Sequence, residues 1–106
     1  MIKEIDVHTL NNKFLAKEEF ILLDVRTDSE YYLSNIPGAT HIPMIDIPSK
    51  INDLDKKKEI IVQCKSGKRS AKVCKFLSDN DFYNVKNLKG GILAWAKYID
   101  QSVIVC

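Results

Sequence analysis

The change of pattern that decides the fold lies in the stretch IIVQCKSGKRS, residues 60–70. It opens with a short apolar run rich in β-branched residues, which predicts a buried strand. A polar, cationic loop with one glycine follows. Beyond the loop, apolar residues recur on one helical face through about Ser78, with lysines on the other face. Cys64 therefore stands at the C-terminal tip of a strand, ahead of a basic loop and the start of a helix.

The surroundings predicted for Cys64 favour a reactive thiol. Loop N–H groups and a helix N-terminus form a cradle for negative charge. Lys65, Lys68 and Arg69 add positive charge, and each of these effects lowers the pKa of a thiol. The alternative is a buried structural cysteine beside a solvated run of charges. The coincidence of a strand end, a glycine, flanking cations and a helix start favours the reactive thiol.

The same loop, CKSGKRS at residues 64–70, resembles the active-site loop of rhodanese-like sulfurtransferases, which has the form C-x-x-G-x-R-S. The resemblance implies that Cys64 is the catalytic nucleophile. It also implies that the rest of the loop binds the substrate, namely Lys65, Ser66, Gly67, Lys68, Arg69 and Ser70.

Length, charge and cysteine content limit the other possibilities. A chain of 106 residues predicts one domain, residues 1–106, and a net charge of +2 does not argue for nucleic acid or a membrane surface as partner. No apolar signal-peptide core opens the chain, so we expect a cytoplasmic protein. The cysteines form neither a disulfide framework nor a zinc pattern, and we expect no metal and no cofactor. Cys74 falls on the apolar helix face and should be inert, whereas Cys106 is terminal and should be exposed.

The run FILLDVR, residues 20–26, predicts a central parallel strand buried on both faces. Asp24 and Arg26 then lie at its C-terminal edge, where sites assemble in open α/β sheets. For Arg26 an ion pair that fixes the next loop is the favoured interpretation, and for Asp24 a structural and a functional role stay equally open. The run resembles the D-V-R strand end of the rhodanese-like family, which implies that both residues brace loops around the site.

Residues 30–43 resemble the family pattern E-Y-x-x-G-H-I-P-G-A-x-x-I-P, with one departure. Ser34 and Asn35 stand where the family has Gly-His, and that histidine has a bracing role near the Asp and Arg. The hydrogen bonding that replaces it is left open. His41 lies on a different predicted element and is not assigned to that role.

Local signals predict the ends of the helices. Asp6 is the expected N-cap of the first helix, Thr27 or Asp28 that of the second, and Asn80 the left-handed residue that ends the helix after the loop. Residues 44–54 predict one or two short helical turns.

The stretch LKGGILAW, residues 88–95, resembles the closing motif of the family, with Trp95 expected in the core. The tail at residues 99–103 looks closest to rhodanese domains fused behind the ubiquitin-activating-like enzymes that serve sulfur-carrier proteins. Strands alternate with helical patterns throughout, which predicts an α/β fold with a parallel sheet and helices on both faces. The resemblance implies a small three-layer α/β/α domain with a mainly parallel five-stranded sheet.

The function that the resemblance implies is a two-step sulfur transfer. The Cys64 thiolate takes the outer sulfur of a small anionic donor such as thiosulfate and passes it, as a persulfide, to a thiol or a sulfur-carrier protein. A Cys-based phosphatase or arsenate reductase is one alternative, but related phosphatases place five residues between Cys and Arg, and four separate Cys64 from Arg69. A non-catalytic interaction module is the other, and inactive copies would be expected to lack the cysteine.

Overall fold

The computed structural model describes residues 2–105, which form a five-stranded sheet flanked by helices. In chain order the strands are β1 (Lys3–Ile5), β2 (Ile21–Asp24), β3 (Thr40–His41), β4 (Ile60–Gln63) and β5 (Val85–Leu88). They lie in the order β1-β5-β4-β2-β3, and every neighbouring pair is parallel. The predicted fold class is confirmed, and the strand that leads to Cys64 is the central one.

The helices are α1 (Val7–Leu15), α2 (Asp28–Leu33), α3 (Ile47–Lys50), α4 (Lys68–Asp79) and α5 (Gly91–Tyr98). Two 3₁₀ turns, Met44–Asp46 and Ile51–Asp53, flank α3 and account for the short helical turns expected there. Among the helices of residues 2–105, none combines the length and the apolar character needed to cross a bilayer. The same residues contain no group of three or more His, Cys, Asp or Glu side chains able to hold a metal ion.

The central strand β4 divides the core into two halves. All four of its residues are buried, and successive side chains point to opposite faces of the sheet. Ile60 packs with Val73 of α4 on one face, while Ile61 packs with Ile92 and Trp95 of α5 on the other. Trp95 is 6% exposed, as expected for a core residue. Burying each isoleucine stabilises the fold by about 1.5–3 kcal/mol, so packed elements hold both ends of the loop that contains Cys64.

Two helix N-termini carry the caps that the sequence predicts. Asp6 accepts a hydrogen bond from the Thr9 backbone N–H at 2.8 Å. Thr27 caps α2 in a reciprocal arrangement, because its hydroxyl accepts from the Glu30 N–H and the Glu30 carboxylate accepts from the Thr27 N–H. A cap of this kind contributes about 1 kcal/mol.

The prediction of Asn80 as a left-handed cap is wrong. Asn80 has φ −111°, and Asp81 is the residue with a left-handed φ of 69°. The Asn80 amide instead donates to the Phe76 carbonyl at 2.8 Å and satisfies a helix-end acceptor. The turn at Asp81 lets the Phe82 N–H bond the Leu77 carbonyl at 3.0 Å and buries the Phe82 ring.

Candidate active site

The Cys64 thiol lies directly after β4, where the chain curls into α4. The residue is 1% exposed. Its Sγ accepts a hydrogen bond from the Gly67 backbone N–H at 3.1 Å and lies 3.3 Å from Ser70 Oγ. Gly67 precedes α4 with φ +107°, a conformation that residues with a side chain rarely adopt. The glycine therefore lets the loop turn its N–H back onto the sulfur.

Hydrogen bonds around the sulfur outweigh the effect of burial. Burial by itself would raise the pKa of the Cys64 thiol, but the Ser70 side chain and the N–H groups of Ser70, Gly67 and Ser66 lower it below its usual value. Cys74 lies in the same core cluster and accepts no such hydrogen bond from residues 2–105, so burial raises its pKa to about 12. Cys64 is therefore prone to ionise, whereas Cys74 of α4 is inert at neutral pH.

Helix α5 supports the loop from the other side. The Ile92 N–H donates to the Cys64 carbonyl at 2.9 Å, and the Leu93 N–H donates to the Lys65 carbonyl at 3.1 Å. Gly91 makes this approach possible, because a Cβ there would lie 2.4 Å from the Lys65 oxygen and 2.5 Å from the Cys64 oxygen. Gly91 of the closing motif thus lets the N-terminus of α5 lie against the backbone of the loop.

Asp24 and Arg26 form a buried ion pair beside the site. The Arg26 guanidinium donates to the Asp24 carboxylate at 2.8–3.2 Å, and it also donates to the Ser34 carbonyl at 2.7 Å. Both side chains are at most 3% exposed, so removing either charge would leave the other buried and unpaired. The pair ties the end of β2 to the end of α2.

The segment that replaces the family Gly-His is held by other contacts. The Asn35 amide donates to the Tyr31 carbonyl at 3.2 Å, and the Ser34 hydroxyl donates to the Ile104 carbonyl. His41 also reaches this region, which the sequence analysis did not foresee. Its Nε2 lies 2.8 Å from the Arg26 carbonyl oxygen and therefore donates to it, and its ring stacks on Tyr31 with centroids 4.2 Å apart.

The cationic residues of the loop fall into two groups. Arg69, expected from the resemblance to bind the substrate, donates paired hydrogen bonds to the Glu30 carboxylate at 2.6 and 2.9 Å. These bonds lower the pKa of Glu30 to about 2. Lys65 is half-buried and Lys68 is exposed, and neither forms an ion pair with any residue in the range 2–105. Their two positive charges are therefore unneutralised by any neighbour in that range.

Two buried polar side chains next to the loop, Asn87 and Gln63, were not predicted from the sequence. Asn87 of β5 accepts a hydrogen bond from the Ser70 hydroxyl at 2.5 Å and donates to the Gly67 carbonyl at 3.1 Å. Gln63 donates to the Cys64 carbonyl at 3.1 Å. The signal that could have found them is a polar residue inside a strand with an otherwise apolar pattern, since such a group needs a partner when it is buried.

Known proteins are similar to this chain in both sequence and fold. Residues 7–98 match the family described as rhodanese-like domain. YtwF of Bacillus subtilis, a candidate sulfurtransferase, is 49% identical over 94 residues, 89% of this chain and 90% of that protein. A sulfurtransferase of Allochromatium vinosum is 36% identical and covers 92% of each chain. The crystal structure of a rhodanese-like domain protein from Staphylococcus aureus superposes with a TM-score of 0.86 at 35% identity, covering 99% of both chains.

A larger protein contains a similar domain. The adenylyltransferase and sulfurtransferase UBA4 of Meyerozyma guilliermondii is 34% identical over 109 residues, which are 95% of this chain and 25% of UBA4. Because the match spans residues 7–98 and the solved relative has the same fold over its whole length, the chain belongs to the rhodanese-like family.

Proposed function

We propose that this protein is a sulfurtransferase in which Cys64 carries the transferred sulfur as a persulfide. The single observation that carries the proposal is the surroundings of Sγ: a buried thiol at a strand end, contacted by the Gly67 N–H and the Ser70 hydroxyl. Its lowered pKa raises the thiolate fraction, and the thiolate is the nucleophilic form. The sulfurtransferases among its relatives support the same class of reaction.

In the first half-reaction the Cys64 thiolate attacks the outer sulfur of thiosulfate. A new S–S bond forms, the old one breaks, and its electron pair leaves with sulfite, so that Cys64 becomes a persulfide anion. Lys65 and Lys68 attract the anionic donor, since no ion pair within residues 2–105 neutralises them. The N–H groups of the loop stabilise the negative charge on the outer sulfur.

In the second half-reaction a nucleophilic acceptor, such as cyanide or a thiolate, attacks the outer sulfur of the persulfide, bonds to it and releases the Cys64 thiolate. Cyanide serves as the acceptor in an assay, and a thiol or a sulfur-carrier protein serves in a cell. The likeness of the chain to a domain of UBA4, together with the tail that resembles domains serving sulfur carriers, supports a carrier protein. Splitting one transfer into two covalent steps predicts ping-pong kinetics.

The test is the intact mass of the protein after incubation with thiosulfate, with sulfite measured in the same sample. We expect wild type to gain one sulfur atom per chain and to release one sulfite. Cys64→Ser should gain none, because a hydroxyl neither ionises near neutral pH nor forms a persulfide. Cys74→Ala is the matched control and should gain the sulfur, since Cys74 is a buried thiol of the same core cluster. A sulfur retained by Cys64→Ser, or none gained by wild type, would contradict the proposal.

A further inference from the structure

Asn87 is hydrogen-bonded to Gly67 and Ser70, two of the residues whose polar groups face the Cys64 sulfur. Gly67 N and Ser70 Oγ lie 3.1 and 3.3 Å from Sγ. The Asn87 side chain is 2% exposed; its Nδ2 donates to the Gly67 carbonyl at 3.1 Å, and its Oδ1 accepts from the Ser70 hydroxyl at 2.5 Å. Hydrogen bonding fixes the orientation of the Asn87 amide. The flipped amide would place Oδ1 against the Gly67 carbonyl oxygen, and two acceptors cannot form a hydrogen bond.

The Ser70 hydroxyl has one proton and two neighbours that need it. Asn87 Oδ1 can only accept, so the short Ser70–Asn87 contact uses that proton. While Cys64 is a neutral thiol, its S–H donates to Ser70 Oγ and every group is satisfied. A thiolate has no proton to donate and needs donors. The Ser70 proton must then turn to the sulfur, and the buried Oδ1 loses its donor, which costs free energy.

We propose that Asn87 is a positioning residue for sulfur transfer. It accepts a hydrogen bond from the Ser70 hydroxyl while the Cys64 sulfur is neutral, and it loses that hydrogen bond when the sulfur is a thiolate. The inference rests on the proposed function for its place in the reaction. The hydroxyl turns toward Asn87 when Sγ becomes the inner, uncharged sulfur of the persulfide, and back when the acceptor releases the thiolate. The bond from Nδ2 to Gly67 keeps Oδ1 aimed at Ser70 throughout.

Charged and titratable side chains lie on several of the elements around Cys64. They include Glu4 of β1, Asp24 of β2, Glu30 of α2, Lys65 and Lys68 of the loop, and Arg69 and Cys74 of α4. In the described part of the chain, none of them is hydrogen-bonded to Sγ. Glu4 contacts the network at its edge, accepting from Asn87 Nδ2 at 3.4 Å, and Glu4 is exposed.

The experiment measures the pKa of Cys64 from the pH dependence of its alkylation by iodoacetamide, followed on the peptide that contains it. Four proteins form a cycle: wild type, Asn87→Leu, Ser70→Ala and the double variant. Asn87→Leu leaves the Ser70 proton free for the sulfur, so we expect it to lower the pKa of Cys64 by about one unit more when Ser70 is present than when it is Ala. Loss of the bond to Gly67 occurs in both backgrounds and cancels.

Glu4→Gln is the matched control, because it removes the charge at the edge of the network and leaves the bond between Ser70 and Asn87. It should leave the pKa of Cys64 within about 0.3 units of wild type. If Asn87→Leu does not fold, Asn87→Ala frees the same proton and carries the same expectations. An equal shift in the two backgrounds, or a Glu4→Gln shift as large as that of Asn87→Leu, overturns the proposal. No sulfur donor is used, so failure of the proposed function would appear in the mass experiment and not in this one.

Discussion

Replacing Gly91 by alanine should uncouple α5 from the loop that contains Cys64. The new Cβ would lie 2.4 and 2.5 Å from the carbonyl oxygens of Lys65 and Cys64, and backbone oxygens cannot rotate away. The helix must withdraw until the gap exceeds 3 Å. A similar lengthening of the 2.9 Å bond from Ile92 N to the Cys64 carbonyl takes it out of hydrogen-bond range.

Three contributions set the size of the effect. Alanine at the left-handed φ of +59° costs about 1–2 kcal/mol, forcing the contact costs about 1–3 kcal/mol, and each weakened hydrogen bond removes about 1 kcal/mol. With one such bond weakened, we expect the free energy of unfolding to fall by about 3–6 kcal/mol. Gly38→Ala is the matched control, since Gly38 has φ +90° but its Cβ would meet only a Phe14 ring carbon at 3.6 Å. That control should lose about 1–2 kcal/mol.

Urea denaturation of both variants gives the two free energies, and the thiosulfate:cyanide assay gives kcat/KM. Because the displaced carbonyl belongs to Cys64 itself, Gly91→Ala should lower kcat/KM by about 10–100-fold, while Gly38→Ala should leave it close to wild type. The reasoning is refuted if Gly91→Ala is no less stable than Gly38→Ala, or if it folds with wild-type kinetics.

Further outcomes test the loop and the ion pair between Arg69 and Glu30. Neutralising Lys68 should raise the KM for thiosulfate and weaken the salt dependence of that KM. Arg69→Lys should clearly impair the kinetics, because it breaks the paired hydrogen bonds to Glu30. Wild-type kinetics in either variant would show that the role assigned to that cation is wrong. Because the pKa of Glu30 is lowered from 4.5 to about 2, the stability that Glu30 contributes is present above pH 4.5 and is lost as the pH falls toward 2. The difference in unfolding free energy between wild type and Glu30→Gln should therefore shrink over that range. A constant difference would contradict the ion pair. Inserting one residue between Gly67 and Arg69 restores the phosphatase spacing and should strongly reduce sulfur transfer, because the donors no longer converge on the sulfur. Wild type should hydrolyse aryl phosphates only at background rate, and Cys64-dependent turnover without a persulfide would favour the phosphatase alternative.

The sequence alone was enough to predict the features that depend on near neighbours along the chain. The pattern of residues 60–70 predicts a strand, a turn and a helix, because strand and helix periodicities are local properties. The caps at Asp6 and Thr27 bond N–H groups three residues away, so residue type and spacing suffice to identify them. Asn80 marks the limit of such reasoning, since burial of Phe82 moves the left-handed turn to Asp81.

Tertiary structure alone decided which distant side chains surround Cys64. Asn87 reaches Ser70 because β5 pairs with β4 in register, with Asn87 opposite Val62. His41 reaches the Arg26 loop because it lies opposite Asp24 in the pairing of β2 with β3. Glu30 and Arg69 are separated by 39 positions in the sequence and meet only when α2 and α4 are both folded. Strand order and register depend on how the two faces of the whole sheet are buried, and no short stretch of sequence contains that information.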